Sequence, residues 1–402
     1  MTTTAAPGPA SLDSPRLREA IEAIAQDARR RLDAPTERPD LALRLIRELR
    51  LGAVRVPAAD GGGGYSTREL FELLIRLGEA DPDVPHILRI HYGFVEELRR
   101  DPAEYRDRPW REEVVAGKLF GGASSELENR VGVYNFDTTL LPDGENFRLN
   151  GRKFYSTGSL YSDYLRITAN DEGGGQISAL IPADRAGVVH ADDWDGLGQR
   201  HTATGTTILD NVLVEPSELL PFRPVGSDRR PGGAQPQLLL HAIAAGILRA
   251  VTADAAALLR DRPRSYTWGN ADESREDPQL LQIVGELSSA AFLVEAAVLA
   301  AADTLGRAVD HAHAHGRVDN DLERAASLAA ARVKVGVEEI ALRAAGELYG
   351  VGGASAIRRS THLDRHWRNL RTLFSHNPTA FKARAIGDAV VNDAPLPTVG
   401  FF

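Results

Sequence analysis

Apolar residues in the first quarter of the chain recur every three or four positions. Leu17, Ile21, Ile24 and Ala28 share one helical face, and Leu41–Leu51 and Thr67–Glu79 repeat the pattern. Four glycines, Gly61–Gly64, separate the last two of these helices. From about Leu119 the rhythm shortens to that of strands. Phe147–Tyr155 reads as two short strands joined at Asn150-Gly151, a dipeptide suited to a tight hairpin. Tyr164–Ala169, Gln176–Ile181 and Thr206–Val214 are further strand candidates. Beyond Gln237 long helices return: Leu238–Leu259, Pro278–Ala308 with Leu280, Ile283, Leu287, Ala291 and Val294 on one face, Asp321–Tyr349 and Thr379–Val391. The order predicts an α+β, mostly α chain. It has a flexible arm over 1–15, a helical domain over 16–117, an antiparallel barrel or sandwich over 118–224 and a helical bundle over 225–402. Helices this long and alanine-rich pack closely in a bundle or against a second subunit.

Composition narrows the function more than the fold. A formal net charge of −9 argues against nonspecific nucleic-acid binding, which needs a basic surface. The chain has no cysteine, so disulfides, thiolate metal sites, cysteine nucleophiles and iron–sulfur clusters are excluded together. A cytoplasmic location fits this, and no secretory signal pattern precedes Pro15. No unbroken apolar run reaches the roughly 18 residues that a membrane span needs. There is no phosphate-binding P-loop, Rossmann fingerprint, zinc-binding His-Glu-x-x-His or Gly-x-Ser-x-Gly elbow. His311, His313 and His315 alternate and so do not share a helical face, which reads as a solvated helix end rather than a metal site.

Chemistry concentrates in Leu363–Pro378, where Arg365, His366, Trp367, Arg368, Arg371 and His376 are interleaved with Leu370, Leu373 and Phe374. The pattern reads as cations held on a packed element beside something anionic; the competing reading is a basic helix paired to acidic neighbours. Lys153–Ser159 ends a strand with an aromatic face and several hydroxyls, able to stack on and hydrogen-bond a flat heteroaromatic ring, or simply to turn. Gly121–Glu126 offers small residues for close backbone approach. Arg264 and Trp268 lie between two long helices, with arginine suited to a phosphate. His91-Tyr92 follows an apolar helical run.

Taken together, Lys153–Ser159, Gly196–Pro216, Leu348–Gly353 and Leu363–Pro378 resemble the acyl-CoA dehydrogenase superfamily over nearly the whole chain, Leu17 to Phe402. Phe154–Ser159, Asp364–Asn369, Ser375–Pro378 and the terminal Val399–Phe402 are most similar to its two-component flavin monooxygenase branch, the dibenzothiophene monooxygenase type. The resemblance implies an N-terminal helical domain, a central β-domain and a C-terminal four-helix bundle in a homotetramer. It also implies reduced FMN rather than FAD, supplied by a separate reductase. Dioxygen would form a C4a-hydroperoxyflavin that inserts one oxygen atom into an organosulfur compound, an aromatic ring or an amine.

The same resemblance implies residue roles. Tyr155, Ser156 and Thr157 would contact the flavin, with Ser124 and Ser125 at its ring edge and Trp194 as a wall. Arg264 and Trp268 would reach toward phosphate, and Gly352 and Gly353 would approach a neighbouring subunit's cofactor. His376 and Asn377 would stand at the active-site end of the bundle, and His91 and Tyr92 on the substrate side. The glutamate base of a dehydrogenase is missing from both Leu373–Asn377 and His241–Gly246, which favours the monooxygenase over a dehydrogenase, an oxidase or a non-catalytic scaffold. His376, with a pKa near that of free histidine, would hold or supply a proton. Gly122 departs from the asparagine that dibenzothiophene-type enzymes carry there.

Overall fold

The computed structural model describes residues 8–100, 104–127, 136–222, 233–262 and 265–397. The first domain comprises α1 (Pro15–Arg31), α2 (Asp40–Glu48), α3 (Thr67–Ala80), α4 (Asp83–Ile87), α5 (Arg89–Arg100) and α6 (Trp110–Val115). Local chemistry sets the helix starts. Ser14 caps α1, with Pro15 at its first position, and Ser66 and Glu69 form a capping box on α3. The buried arginines of this domain are paired: Arg31 with Asp27 and Asp81, and Arg55 with Glu96.

The central domain is one sheet of eight strands: β1 (Phe120–Ala123), β2 (Thr139–Asp143), β3 (Asn146–Lys153), β4 (Tyr164–Asn170), β5 (Gln176–Pro182), β6 (Val188–His190), β7 (Thr207–Val214) and β8 (Leu219–Pro221). Its order is β6-β7-β3-β2-β4-β5-β8, with β1 parallel to β4. The sheet is mostly antiparallel, as expected; β1 beside β4 and a single β2–β4 pair are parallel, and β6 and β8 are its ends. One face builds a core from Leu140, Leu149, Ile167, Ile181 and Val212. Phe120, Leu180 and Leu220 instead join Phe94, Leu98 and Trp110, and Phe94 stacks on Phe120 at 4.7 Å, fixing the sheet against α5 and α6.

Asn150-Gly151 is not a hairpin turn. The β2–β3 hairpin closes at Gly144-Glu145, while Asn150-Gly151 lies inside β3 at a register shift against β7. A Cβ at Gly151 would come 2.4 Å from Thr138 Oγ1, so glycine is required by a close approach at a bulge.

The C-terminal region consists of α7 (Ala234–Arg260), α8 (Pro278–His315) and α9 (Asn320–Gly352), which pack on one another, with α10 (Asp364–Phe374) against α7 and α9 and α11 (Thr379–Asn392) against α9. Helix α3 packs into the groove of α7 and α8. At that crossing the backbones nearly touch, because a Cβ at Gly246 would lie 2.4 Å from Ile75 O. Counted by mean hydropathy rather than unbroken apolar runs, α7 and α8 are each long and apolar enough for a membrane span. Helix α7 owes this to its place inside the bundle, where most of its residues are buried. Helix α8 leaves Leu281, Phe292 and Leu293 exposed.

Candidate active site

The end of β3 meets the first helical domain and the bundle in one polar region. Lys153, fully buried, pairs with Glu126 at 2.6 Å and lies 4.3 Å from the Phe136 ring centre. Burial pushes its ammonium down to about 8, against the pull of Glu126. The ion pair and the Phe154 N–H donating to Ser125 O at 2.8 Å tie the segment after β1 to the strand end. The backbone then turns at Tyr155 into the left-handed region, φ 55, and leaves its ring 57% exposed. Trp194 meets that ring edge-on at 6.3 Å and donates Nε1–H to Gln199 O. Ser156 Oγ is buried with no partner, and Thr157 Oγ1 shares a hydrogen bond with Thr204 Oγ1. Gly158, φ 77, presses this turn on α4: a Cβ would lie 2.5 Å from Ile87 O.

That contact leads to α4, α5 and the end of α10. His86 Nδ1 is 2.8 Å from Gln199 Oε1; a carbonyl oxygen only accepts, so Nδ1 carries the proton. Gln199 in turn receives its orientation from α10, since its N–H donates to Asn369 Oδ1 at 2.7 Å. Arg89 Nη1 donates to His376 Nε2 at 3.0 Å. A guanidinium only donates, so His376 Nε2 is the acceptor and the ring proton sits on Nδ1. Asn377 Nδ2–H donates to Gln237 Oε1 on α7, and Lys334 Nζ donates to Phe374 O. His241 stacks on Phe374, with both ring nitrogens buried and unpartnered.

Electrostatics here differ from the sequence expectation for His376. Burial, then the charge of Arg89, holds its pKa well below the ordinary histidine range. The residue is a neutral hydrogen-bonding imidazole, not a resident acid. His86 is likewise pushed down to about 3 by burial and Arg89. Among the described residues, the hydrogen bonds of His86 and Arg89 go to Gln199 and His376 rather than to a carboxylate. Unpartnered buried polar atoms gather in these elements: Ser156 Oγ, Arg89 Nε, Gln199 Nε2, Gln237 Nε2 and both nitrogens of His241. Such atoms are normally satisfied, and their number here fits a site that receives a polar, planar ligand.

The sequence-derived assignments divide. Tyr155, Ser156, Thr157 and Trp194 come together, with Ser124 and Ser125 exposed beside them. His376 and Asn377 stand at the adjoining bundle end. His91 and Tyr92 do not join them. His91 Nε2–H donates to Gly52 O and its Nδ1 accepts from Phe120 N–H, while Tyr92 OH donates to Leu51 O. Both are satisfied inside the first domain, whereas Arg89 reaches His376 and His86 reaches Gln199. The arginines of α10 are paired to acids: Arg365 and His366 to Asp254, Arg368 to Asp364, Arg371 to Glu338. Arg365, His366 and Arg368 border a separate cleft of about 1090 Å³ lined also by Arg200, His201 and Arg358. The competing reading, a basic helix matched by acidic neighbours, thus describes them correctly. Gly352 and Gly353 end α9, where Arg262 Nη1 donates to Val351 O and Trp268 is 83% exposed nearby in sequence. Arg264 lies outside the described residues. A Cβ at Gly122 would come 3.0 Å from Ile90 Cγ2, a tight contact that a larger side chain there would need Ile90 to relieve.

Comparison with known proteins agrees with this geometry. Residues 122–212 match the acyl-CoA dehydrogenase middle domain, and residues 238–381 the C-terminal domain. The probable FMNH2-dependent monooxygenase SfnC of Pseudomonas putida is 30% identical, with 88% of each chain covered. The chain belongs to the acyl-CoA dehydrogenase family. Within that family it stands with the flavin-dependent monooxygenases. Dibenzothiophene monooxygenase of Mycolicibacterium goodii is 30% identical over 90% of this chain and 89% of its own. The solved structure of TdsC from Paenibacillus sp. A11-2 with FMN and indole superposes with a TM-score of 0.84, at 27% identity, covering 96% of this chain and 98% of its own. Methanesulfinate monooxygenase MsuC of Pseudomonas fluorescens gives 0.84 at 25% identity, covering 97% and 100%. For a family member, the lack of an acid in Leu373–Asn377 and His241–Gly246 favours the monooxygenase over the dehydrogenase and oxidase readings.

Proposed function

We propose that the protein is an FMNH2-dependent monooxygenase that adds one oxygen atom of dioxygen to a small organosulfur compound, with FMNH2 from a separate reductase. The observation that supports this reading is the group His86–Arg89–His376, with His376 kept neutral by burial and Arg89, beside the strand end Tyr155–Thr157. Reduced FMN supplies two electrons and activates dioxygen. Tyr155 and Trp194 would wall the flavin ring, Ser156 Oγ would hydrogen-bond its edge, and Ser124 and Ser125 would flank it. His376, held by Arg89, presents a fixed neutral imidazole that orients the reacting oxygen, and the buried apolar surroundings exclude water.

Gly352, Gly353 and Trp268 belong to the opposite end of the bundle, so their contribution to the flavin comes from a second copy in a homotetramer. The exposed Phe292 and Leu293 of α8, with Phe381, Val390 and Val391 of α11, support such assembly. A cytoplasmic location would give access to the reductase. The test is an anaerobic titration with FMNH2, FMN and FAD, followed by turnover with reductase and dioxygen. FMNH2 should bind most tightly, and product should form only with oxygen. Tightly retained FAD and oxygen-independent turnover with an electron acceptor would overturn the reading.

A further inference from the structure

The chain carries a formal net charge of −9, yet arginines outnumber carboxylates along the cleft of about 1090 Å³ beside α10. The cleft opens between α1, the α3–α4 junction, α7, the loop 198–201 and the link from α9 to α10. Its carboxylates are already engaged. Asp81 pairs with Arg31, Asp254 with Arg365, Asp364 with Arg368 and Glu79 with Arg249. Glu22 accepts from Gln26, and Asp83 accepts the His201 N–H. Burial and the neighbouring Asp81 push the Asp83 carboxyl up, so it opposes the nearby charge of Arg200 only weakly.

The remaining arginines are not engaged. Arg18 and Arg29 of α1, Arg200 of the loop, and Arg358 and Arg359 of the link are exposed. Their side chains make no hydrogen bond or ion pair among the described residues. Like charges gathered along one concave wall concentrate their field there and raise the local concentration of anions.

The kind of cation and the shape of the cleft select the ligand. Every permanent cation in the lining is arginine, and none is lysine. A guanidinium fork suits two oxygens of one anion, and forks from three separate elements border this cleft. A carboxylate has two oxygens and fills one fork. A phosphate monoester has three terminal oxygens and close to two negative charges near neutrality, so it can engage two forks together. The volume is that of a site for an organic molecule rather than a bare ion. Between the arginines the wall is apolar, with Ile21, Ala25 and Leu32 on the α1 side and Ile247 and Ala250 on α7. We propose that this cleft is a second ligand site, separate from the flavin site, for a small organic phosphate monoester. Its phosphate meets Arg200 and Arg358, and its apolar part lies against α1 and α7.

The test is calorimetric titration of the full-length protein with FMN at saturation, so that the position of the flavin's own phosphate is filled. The probes are phenyl phosphate, inorganic phosphate and phenol. Phenyl phosphate should bind saturably and at least tenfold more tightly than inorganic phosphate, and phenol should not bind measurably. Arg200→Gln and Arg358→Gln should each weaken phenyl phosphate binding by about tenfold, the scale of a lost charge-assisted hydrogen bond, and Arg200→Lys should recover part of the loss. FMN affinity should be the same in all of these proteins. No saturable binding of phenyl phosphate overturns the proposal, and so does binding seen only when FMN is left out, because the probe then occupies the flavin site. Inorganic phosphate bound as tightly as phenyl phosphate overturns it too, since the apolar wall then contributes nothing. Binding unchanged in both glutamine variants places the ligand elsewhere and is equally fatal. Both arginines are exposed and unpaired, so the variants should fold, which thermal melts check; should one unfold, the three probes on wild type decide alone.

Discussion

Replacing His376 by alanine separates chemistry from structure. The side chain accepts a hydrogen bond from Arg89 at 3.0 Å. Its removal leaves a guanidinium donor without that acceptor, a cost of about 1–3 kcal/mol if wholly buried and less where Arg89 opens to the cavity. The fold should therefore survive. Loss of a preorganised group at the reacting oxygen should cost about 2.7–4 kcal/mol, or roughly 10²–10³ in oxygen transfer. Electrons from FMNH2 would then appear as hydrogen peroxide. The assay is product formed and peroxide released per FMNH2 consumed, in wild type and His376→Ala, with thermal melts run on both. A second reading comes from pH. Because burial and Arg89 keep His376 neutral, the profile of kcat/KM should show no break near 6.5 from this residue. An acid with the ordinary histidine pKa would lose activity as pH rises through that value. Unchanged coupling in the variant, or such a break that vanishes in it, would refute the argument.

Tyr92→Phe should cost about 1 kcal/mol through its bond to Leu51 O and leave coupling unchanged, measured by melting and product yield. Gly246→Ala should lower stability by about 1–3 kcal/mol or more, read from the urea midpoint, because its methyl would collide with Ile75 O and Glu79 N at the α3–α7 crossing. Acid should destabilise the protein through His86 and His241, both pushed down to about 3 by burial. The unfolded chain takes up these protons below about 6.5 and the folded chain does not. Stability present above that pH is thus lost as pH falls toward 3, by about 1.4 kcal/mol per group per unit, and His241→Phe should flatten the dependence of the urea midpoint on pH. Light scattering at micromolar concentration should give a tetramer mass, and a monomer mass would sink the shared-site reading.

Helices and their faces were legible in the sequence because periodicity is local: Leu17–Ala28, Thr67–Glu79 and the long bundle helices emerge nearly where they were expected. The absent base was legible too, since a residue type that is missing from a segment cannot be restored by folding. Strand pairing was less so. Asn150-Gly151 has the composition of a turn, but Thr138, just before the paired strand β2, claims the space beside Gly151, and the shift in register against β7 makes it a bulge. The choice between His86 and His91 belonged to the tertiary structure alone. Both lie in one helical stretch, five residues apart, and only packing against Gly52 and Phe120 on one side and Gln199 on the other distinguishes them. The arginines of α10 drew notice by density, yet Asp254 and Glu338 neutralise them from α7 and α9. Arg89 drew none, because a sequence records that a charge is present and not whether anything opposes it. Compensation depends on which side chains come within a few ångströms across the fold, and only the packed chain decides that.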